Sequence, residues 1–287
     1  MTIAICSNRP VLLFEAIART LRIVDHGDRV MAVMDTDTTS MGWAFVHPAL
    51  RIVYNGRNRG LAYSRNRVLE ECETRHVIFV DDDIVLTTAV VDGLRGVLGR
   101  GADVAGVRIT ADFQGRQIPW LLTIGQLHYL GVHNPAGPAS IWGGCIAVDI
   151  ARARLLGVDF DERLGRVGSK LSSAEDTTFV RQMLLRGAAQ VVLDEPQVTH
   201  RIPPERLKFR YLIRRAYWQG RSEVRRGDAR QGLLKEWGRN RQAGGARCHG
   251  TALAIIYVGA VMIGLAHESL IVAAVRRVSD PLVRPCA

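Results

Sequence analysis

Short apolar runs punctuate the first two thirds of the chain. Ile3 to Cys6, Val30 to Met34, Ile52 to Tyr54, Val77 to Val80 and Val104 to Val107 are rich in β-branched residues and alternate with helix-compatible stretches and turns. That alternation predicts a doubly wound α/β sheet. Length and β-branching favour strand over helix, since Val77-Ile78-Phe79-Val80 is bounded by Arg75-His76 and by three aspartates. Cys145 to Val148 and Val191 to Leu193 read as later strands of the same sheet.

The pattern changes after about residue 204. Glu205 to Arg226 is helical and basic, and Gly238 to Gly250 reads as a polar, glycine-rich linker. Thr251 to Ala266 is sixteen residues without a charge, and a further apolar run follows His267-Glu268-Ser269. Spanning a bilayer takes about 20 apolar residues, so this segment is marginal, and Glu268 weakens it further. A helix apolar all round must be buried in lipid, on the catalytic domain or on a second subunit of a homodimer.

Composition narrows the picture. At 287 residues, 47% hydrophobic, the chain can form one large α/β domain with an appendage. Five cysteines without paired spacing predict reduced thiols and a cytoplasmic protein, and Thr2 to Ser7 lacks the basic flank and cleavage site of a secretory signal. Residues 201–247 hold fourteen Lys/Arg against four Asp/Glu, which gives +10, the net charge of the whole chain. Such a block suits phosphates, nucleic acid or an anionic membrane surface, or is a solvated face.

Three clusters carry candidate chemistry. Asp81-Asp82-Asp83 follows a buried strand, where open sheets bind ligands, and adjacent carboxylates favour a hard cation such as Mg2+ or Mn2+. The alternative is an acidic turn capping the helix after Thr87-Thr88. Ser172-Ser173-Ala174-Glu175-Asp176 opens a helix, with Ser172 and Glu175 spaced for a capping box and Asp176 in the first turn, where the helix dipole favours a carboxylate. In the third, Asn55 to Gly60 precedes a helix carrying Arg65, and these arginines could grip a nucleotide or form a basic turn. Asp35, just after its strand, is open to either reading.

The ordered set Val53-Tyr54-Asn55, Asn58-Arg59-Gly60-Leu61-Ala62, Ser64-Arg65-Asn66, Phe79 to Asp83, Gly143-Gly144, Phe160 to Leu164 and Glu175-Asp176 resembles family 2 inverting glycosyltransferases of the GT-A fold over residues 2–204. The resemblance implies a nucleotide-diphospho-sugar transferase fold, with a mostly parallel sheet flanked by helices and a basic helical C-terminal extension. The expected parts are a catalytic domain over 1–204 (donor half about 1–110, acceptor half about 111–204), an extension and linker over 205–250, and an apolar helix and tail over 251–287. Asp35, Arg59 and Arg65 would hold a UDP- or GDP-linked sugar, Asp81 and Asp82 would lie near ribose and metal, Asp83 and His200 would ligate the metal, and Asp176 would be the base. Trp142, Gly143, Gly144 and Glu175 form the candidate acceptor side, although a core role fits Trp142 equally.

Two departures matter. The first strand ends in Cys6-Ser7-Asn8-Arg9-Pro10 instead of the family's proline-threonine turn, and the absence of Q-x-x-R-W argues for single, non-processive transfer to an acceptor hydroxyl. Two rivals remain. A sugar-1-phosphate nucleotidyltransferase would need a glycine-rich loop where Cys6 to Glu15 has no glycine. A non-enzymatic nucleic-acid binder would use residues 201–247 but leaves the aspartates without a purpose, so no nucleic-acid partner is expected. The expected location is cytoplasmic, or peripheral at the inner membrane face.

Overall fold

The computed structural model describes residues 1–37, 47–118, 122, 124–230, 234 and 248–279. Eight strands form one sheet: β1 (Thr2–Ser7), β2 (Arg29–Met34), β3 (Leu50–Tyr54), β4 (His76–Val80), β5 (Ile84–Val85), β6 (Val104–Asp112), β7 (Cys145–Asp149) and β8 (Gln190–Arg201), in the order β3-β2-β1-β4-β7-β6-β8-β5. Four of the seven pairings are parallel; β7 runs antiparallel to both β4 and β6, and β5 antiparallel to β8.

Helices cover both faces, which is why the central strands are apolar without interruption. Successive side chains along a strand point to opposite faces. Ile3 and Ile5 accordingly pack with Leu13 and Ile17 of α1 (Pro10–Thr20) and Leu94 of α3 (Thr88–Gly99). Ala4 and Phe79 face the other way, toward Val68 of α2 (Leu61–Glu71) and Phe179 and Met183 of α5 (Glu175–Leu185). A short α4 (Ile150–Leu156) follows β7.

The aspartate triplet caps no helix, because the side chain of Thr87 receives the amide of Val90 at the start of α3. The capping box expected of Ser172 and Glu175 does not form. Ser172 Oγ pairs with Ser222 Oγ at 3.1 Å, and the residue before α5 is Ala174 in the left-handed region at φ 76°.

The basic segment forms α6 (Phe209–Arg225), and α7 (Cys248–Ser279) packs along it. Together with the 3-10 helix Ile124–Leu130 they build a third core around Tyr129, Leu212, Ala216, Tyr257 and Val261. Cys248, His249 and Gly250, expected in the linker, open α7; 238–247 lie outside the described residues, as do 280–287 of the tail. Helix α7 therefore docks one face on the catalytic domain. A Cβ on Gly220 would meet the carbonyl oxygen of Val261, and one on Gly264 that of Tyr217, so the two backbones touch where the helices cross.

Candidate active site

A cavity of about 680 Å3 opens where β1 and β4 end and β7 begins. The carboxyl edge of a sheet is the ordinary place for a ligand, since loops there converge while the strands stay rigid. Ser7, Asp81, Asp82, Asp83, Trp142, Asp176 and His200 line it, and α6 closes the opposite wall with Arg215, Gln219 and Glu223. The extension after residue 204 is thus part of the site.

The three aspartates have different partners. Asp82 is buried, accepting from Ser7 Oγ and from the guanidinium of Arg9, whose Nε lies at 3.1 Å. Asp83 accepts from Arg206 Nη2 at 2.9 Å and Arg9 Nη2 at 3.0 Å, and its Oδ1 lies 3.2 Å from His200 Nε2. Asp81 receives Arg65 Nη2 at 3.1 Å. Burial pushes the Asp81 and Asp82 carboxyls up, opposed by Arg65 and Arg9 respectively. Burial acts on Asp83 in the same direction, but the His200 contact, Arg206 and Arg9 together hold it well below the usual carboxylate range.

His200 reaches Asp83 because β5 pairs antiparallel with β8, setting Ile84 against His200, and because the amide of Arg201 donates to the Asp83 carbonyl at 2.9 Å. The two donors, one carboxylate oxygen and one imidazole nitrogen, converge on one point. No group of three or more His, Cys, Asp or Glu placed to hold a metal occurs among the described residues. The pair fits a hard cation that draws its remaining ligands from phosphate oxygens and water. Buried His200 Nδ1 has no hydrogen-bond partner among the described residues. Arg206 Nη1, 3.0 Å from His200 Nε2, shares the space such a cation would take.

Asp176 stands in the cavity wall at the start of α5. Its Oδ2 accepts the Gly143 amide at 2.5 Å and its Oδ1 the Thr177 amide at 2.7 Å. Its neighbour Glu175 is turned inward, with Oε1 receiving Arg65 Nη1 at 3.2 Å. Burial, and then the adjacent Asp176, raise the Glu175 carboxyl to about 7 against the pull of Arg65.

The remaining expected residues divide. Asp35 lines the cavity but already accepts from the amides of Arg59 and Gly60, both at 2.8 Å, and from Asn55 Nδ2 at 2.7 Å, so it ties β2 to the start of α2. Arg59 does not line the cavity; its guanidinium lies over the Tyr63 ring at 3.5 Å. Arg65 is buried, with the Gly143 carbonyl as a third partner at 2.8 Å. It is thus a structural cation of the cavity wall. Gly143 is glycine because a Cβ would lie 2.7 Å from Arg65 Nη1, and Gly144 because one would lie 3.0 Å from Ile109 Cδ1. Trp142, half-buried, stacks on His133 with ring centres 4.0 Å apart.

Arg9, Arg166 and Arg206 line the cavity and were not singled out from the sequence. The departure at Ser7-Asn8-Arg9-Pro10 was the one signal for Arg9, and nothing local marks the other two. Arg166 donates to Tyr211 Oη at 3.3 Å. Burial would raise Tyr211, yet Arg166, Arg206 and Arg215 draw its phenol down to about 8. At the start of the acceptor half, His128, Tyr129, Leu130 and Gly131 line the cavity, while 119–121 and 123 lie outside the described residues.

Residues 6–147 match the family described as glycosyl transferase family 2. Among solved structures, S. aureus TarS 1-349 in complex with UDP-GlcNAc is similar, with 16% identity and a TM-score of 0.55, covering 92% of this chain and 81% of that one. The mannosyltransferase PcManGT from Pyrobaculum calidifontis, in complex with GDP-Man and Mn2+, has 16% identity and a TM-score of 0.54, covering 98% of this chain and 81% of its own. No curated protein sequence matches the chain.

Proposed function

Because the chain belongs to glycosyl transferase family 2 through residues 6–147, we propose that it moves a sugar from a nucleoside diphosphate to an acceptor hydroxyl in one displacement, with inversion at the anomeric carbon. Asp176 takes the acceptor's proton as the hydroxyl attacks. The observation that carries this reading is the position of Asp176: its carboxylate lines the same cavity as the aspartate triplet and is fixed by two backbone amides. A carboxylate oxygen that accepts one hydrogen bond has a lone pair left for a hydroxyl proton.

Arg9, Arg166 and Arg206 suit the donor's diphosphate, since a guanidinium binds phosphate oxygens in pairs. Asp83 and His200 would hold a divalent cation, which when bound offsets charge on the departing diphosphate. With no protein acid then needed for the leaving group, one base suffices. The similar structures carry UDP-GlcNAc in one case and GDP-Man in the other, which supports a nucleotide-sugar donor without choosing its base. Two tyrosines of the basic segment are engaged within the protein, Tyr211 with Arg166 and Tyr217 Oη with His267 of α7.

The test compares two neighbours. Asp176→Asn should leave donor affinity nearly unchanged by calorimetry while single-turnover transfer falls about 10²- to 10⁴-fold, the usual contribution of a general base. Glu175→Gln should retain far more transfer, because Arg65 keeps Asp81 and the Gly143 carbonyl. A dead Glu175→Gln beside an active Asp176→Asn would move the base to the other carboxylate.

A further inference from the structure

Helix α7 is built with its polarity reversed. Within Ile255–Ala273 the one charged side chain, Glu268, faces α6 and is only 4% exposed, receiving Arg221 Nε at 2.6 Å and Arg225 Nε at 2.7 Å. The outward face carries Ile255, Met262, Ile263 and Leu270, the last two 65% and 71% exposed. Steps of about 100° per residue bring these onto one side together with Gly259 and Ala266.

We propose that this face lies in the surface of an anionic bilayer, with α7 parallel to the membrane plane and the catalytic domain fixed upon it. The stretch Ile255–Ala273 is long and apolar enough to cross a membrane. The contacts at Gly220 and Gly264 and the two Glu268 pairs nevertheless hold its other face along α6, whose far side lines the cavity, so α7 meets a membrane side-on and does not cross it.

Charge selects lipid over a second copy. Residues 201–247 carry the whole net charge of +10 and lead directly into α7. Phe209, 43% exposed, lies at the edge of the α6–α7 contact with its ring centre 6.4 Å from that of the buried Tyr257, and exposed Lys208 and Arg210 flank it in sequence. Two copies meeting there would oppose like charges, whereas anionic headgroups complement them.

The experiment floats the full-length protein on vesicles of phosphatidylcholine alone and of phosphatidylcholine with phosphatidylglycerol, with sedimentation velocity run in parallel. Expected are binding to the anionic vesicles that weakens with added salt, and a monomer in solution. Ile263→Asp with Leu270→Asp should abolish binding at unchanged melting temperature. Lys208→Gln with Arg210→Gln should weaken it about fivefold for each charge removed. Absence of binding, binding that survives both pairs of substitutions, or a dimer dispersed by the aspartates would overturn the proposal.

Discussion

Arg65 is buried between Asp81, Glu175 and the Gly143 carbonyl, and that one side chain accounts for much of the cavity's shape. From the sequence it read as a nucleotide contact, because its partners lie 16 and 110 positions away and no local pattern announces them. Asp83, Asp176 and His200, expected from the resemblance, all line the cavity, whereas no motif marks Arg9 and Arg206, which neutralise Asp83. Their presence makes the metal site testable at the level of one residue. A ligand at 100 times its dissociation constant adds about 2.7 kcal/mol of stability. Mn2+ with a nucleoside diphosphate should therefore raise the melting temperature of the wild type, and EDTA should remove the Mn2+-dependent part. In Asp83→Asn, which keeps an oxygen for Arg206, the Mn2+ response should disappear while a response to the nucleotide alone persists. An undiminished Mn2+ response in this variant would place the cation elsewhere.

At the scale of elements, the apolar strands were readable because burial on both faces demands continuous β-branched runs. Two features escaped that logic. Strand β5 is two residues long, below any periodicity, yet its pairing with β8 brings His200 to Asp83. Strand β8 runs to twelve residues through Asp194, Glu195 and Pro196, a polar stretch that reads as a turn. The capping-box spacing misled for a related reason: Ser222, which takes the Ser172 hydroxyl, is 50 residues away on α6. The crossing of α6 and α7 offers a test that separates close packing from helix propensity. A Cβ at Gly220 would lie 2.0 Å from the Val261 oxygen, whereas one at Gly259 meets nothing within 4 Å. Overpacking costs about 1–3 kcal/mol and more where backbone must move. Gly220→Ala should destabilise by at least that amount in urea titration, and Gly259→Ala should stabilise by up to about 1 kcal/mol. Equal effects would mean the helices are not in contact.

Across the whole molecule, the cavity draws its walls from the ends of β1 and β4, the start of β7, the first turn of α5 and the inner face of α6. Glu175, in that first turn of α5, lies beside Asp176, beside Arg65 of α2 and against the Gly165 turn, whose added Cβ would sit 3.1 Å from its carboxyl carbon. That convergence makes its proton a reporter on the assembled fold. Burial and then Asp176 raise its pKa from the ordinary 4.5 to about 7. An acid so shifted holds its proton more tightly when folded, so the stability it contributes is complete below pH 4.5 and is lost as pH rises through about 7. Asp81 and Asp82 are shifted in the same direction, but they are common to the wild type and to Glu175→Gln, so the difference between the two proteins isolates Glu175 to a first approximation. Urea midpoints taken from about pH 5 to about pH 8 should show the wild type losing stability relative to Glu175→Gln, with most of the change between about pH 5 and about pH 7 and little beyond. If the difference stays constant across that range, Glu175 is already ionised at its lower end and the pair with Arg65 outweighs burial.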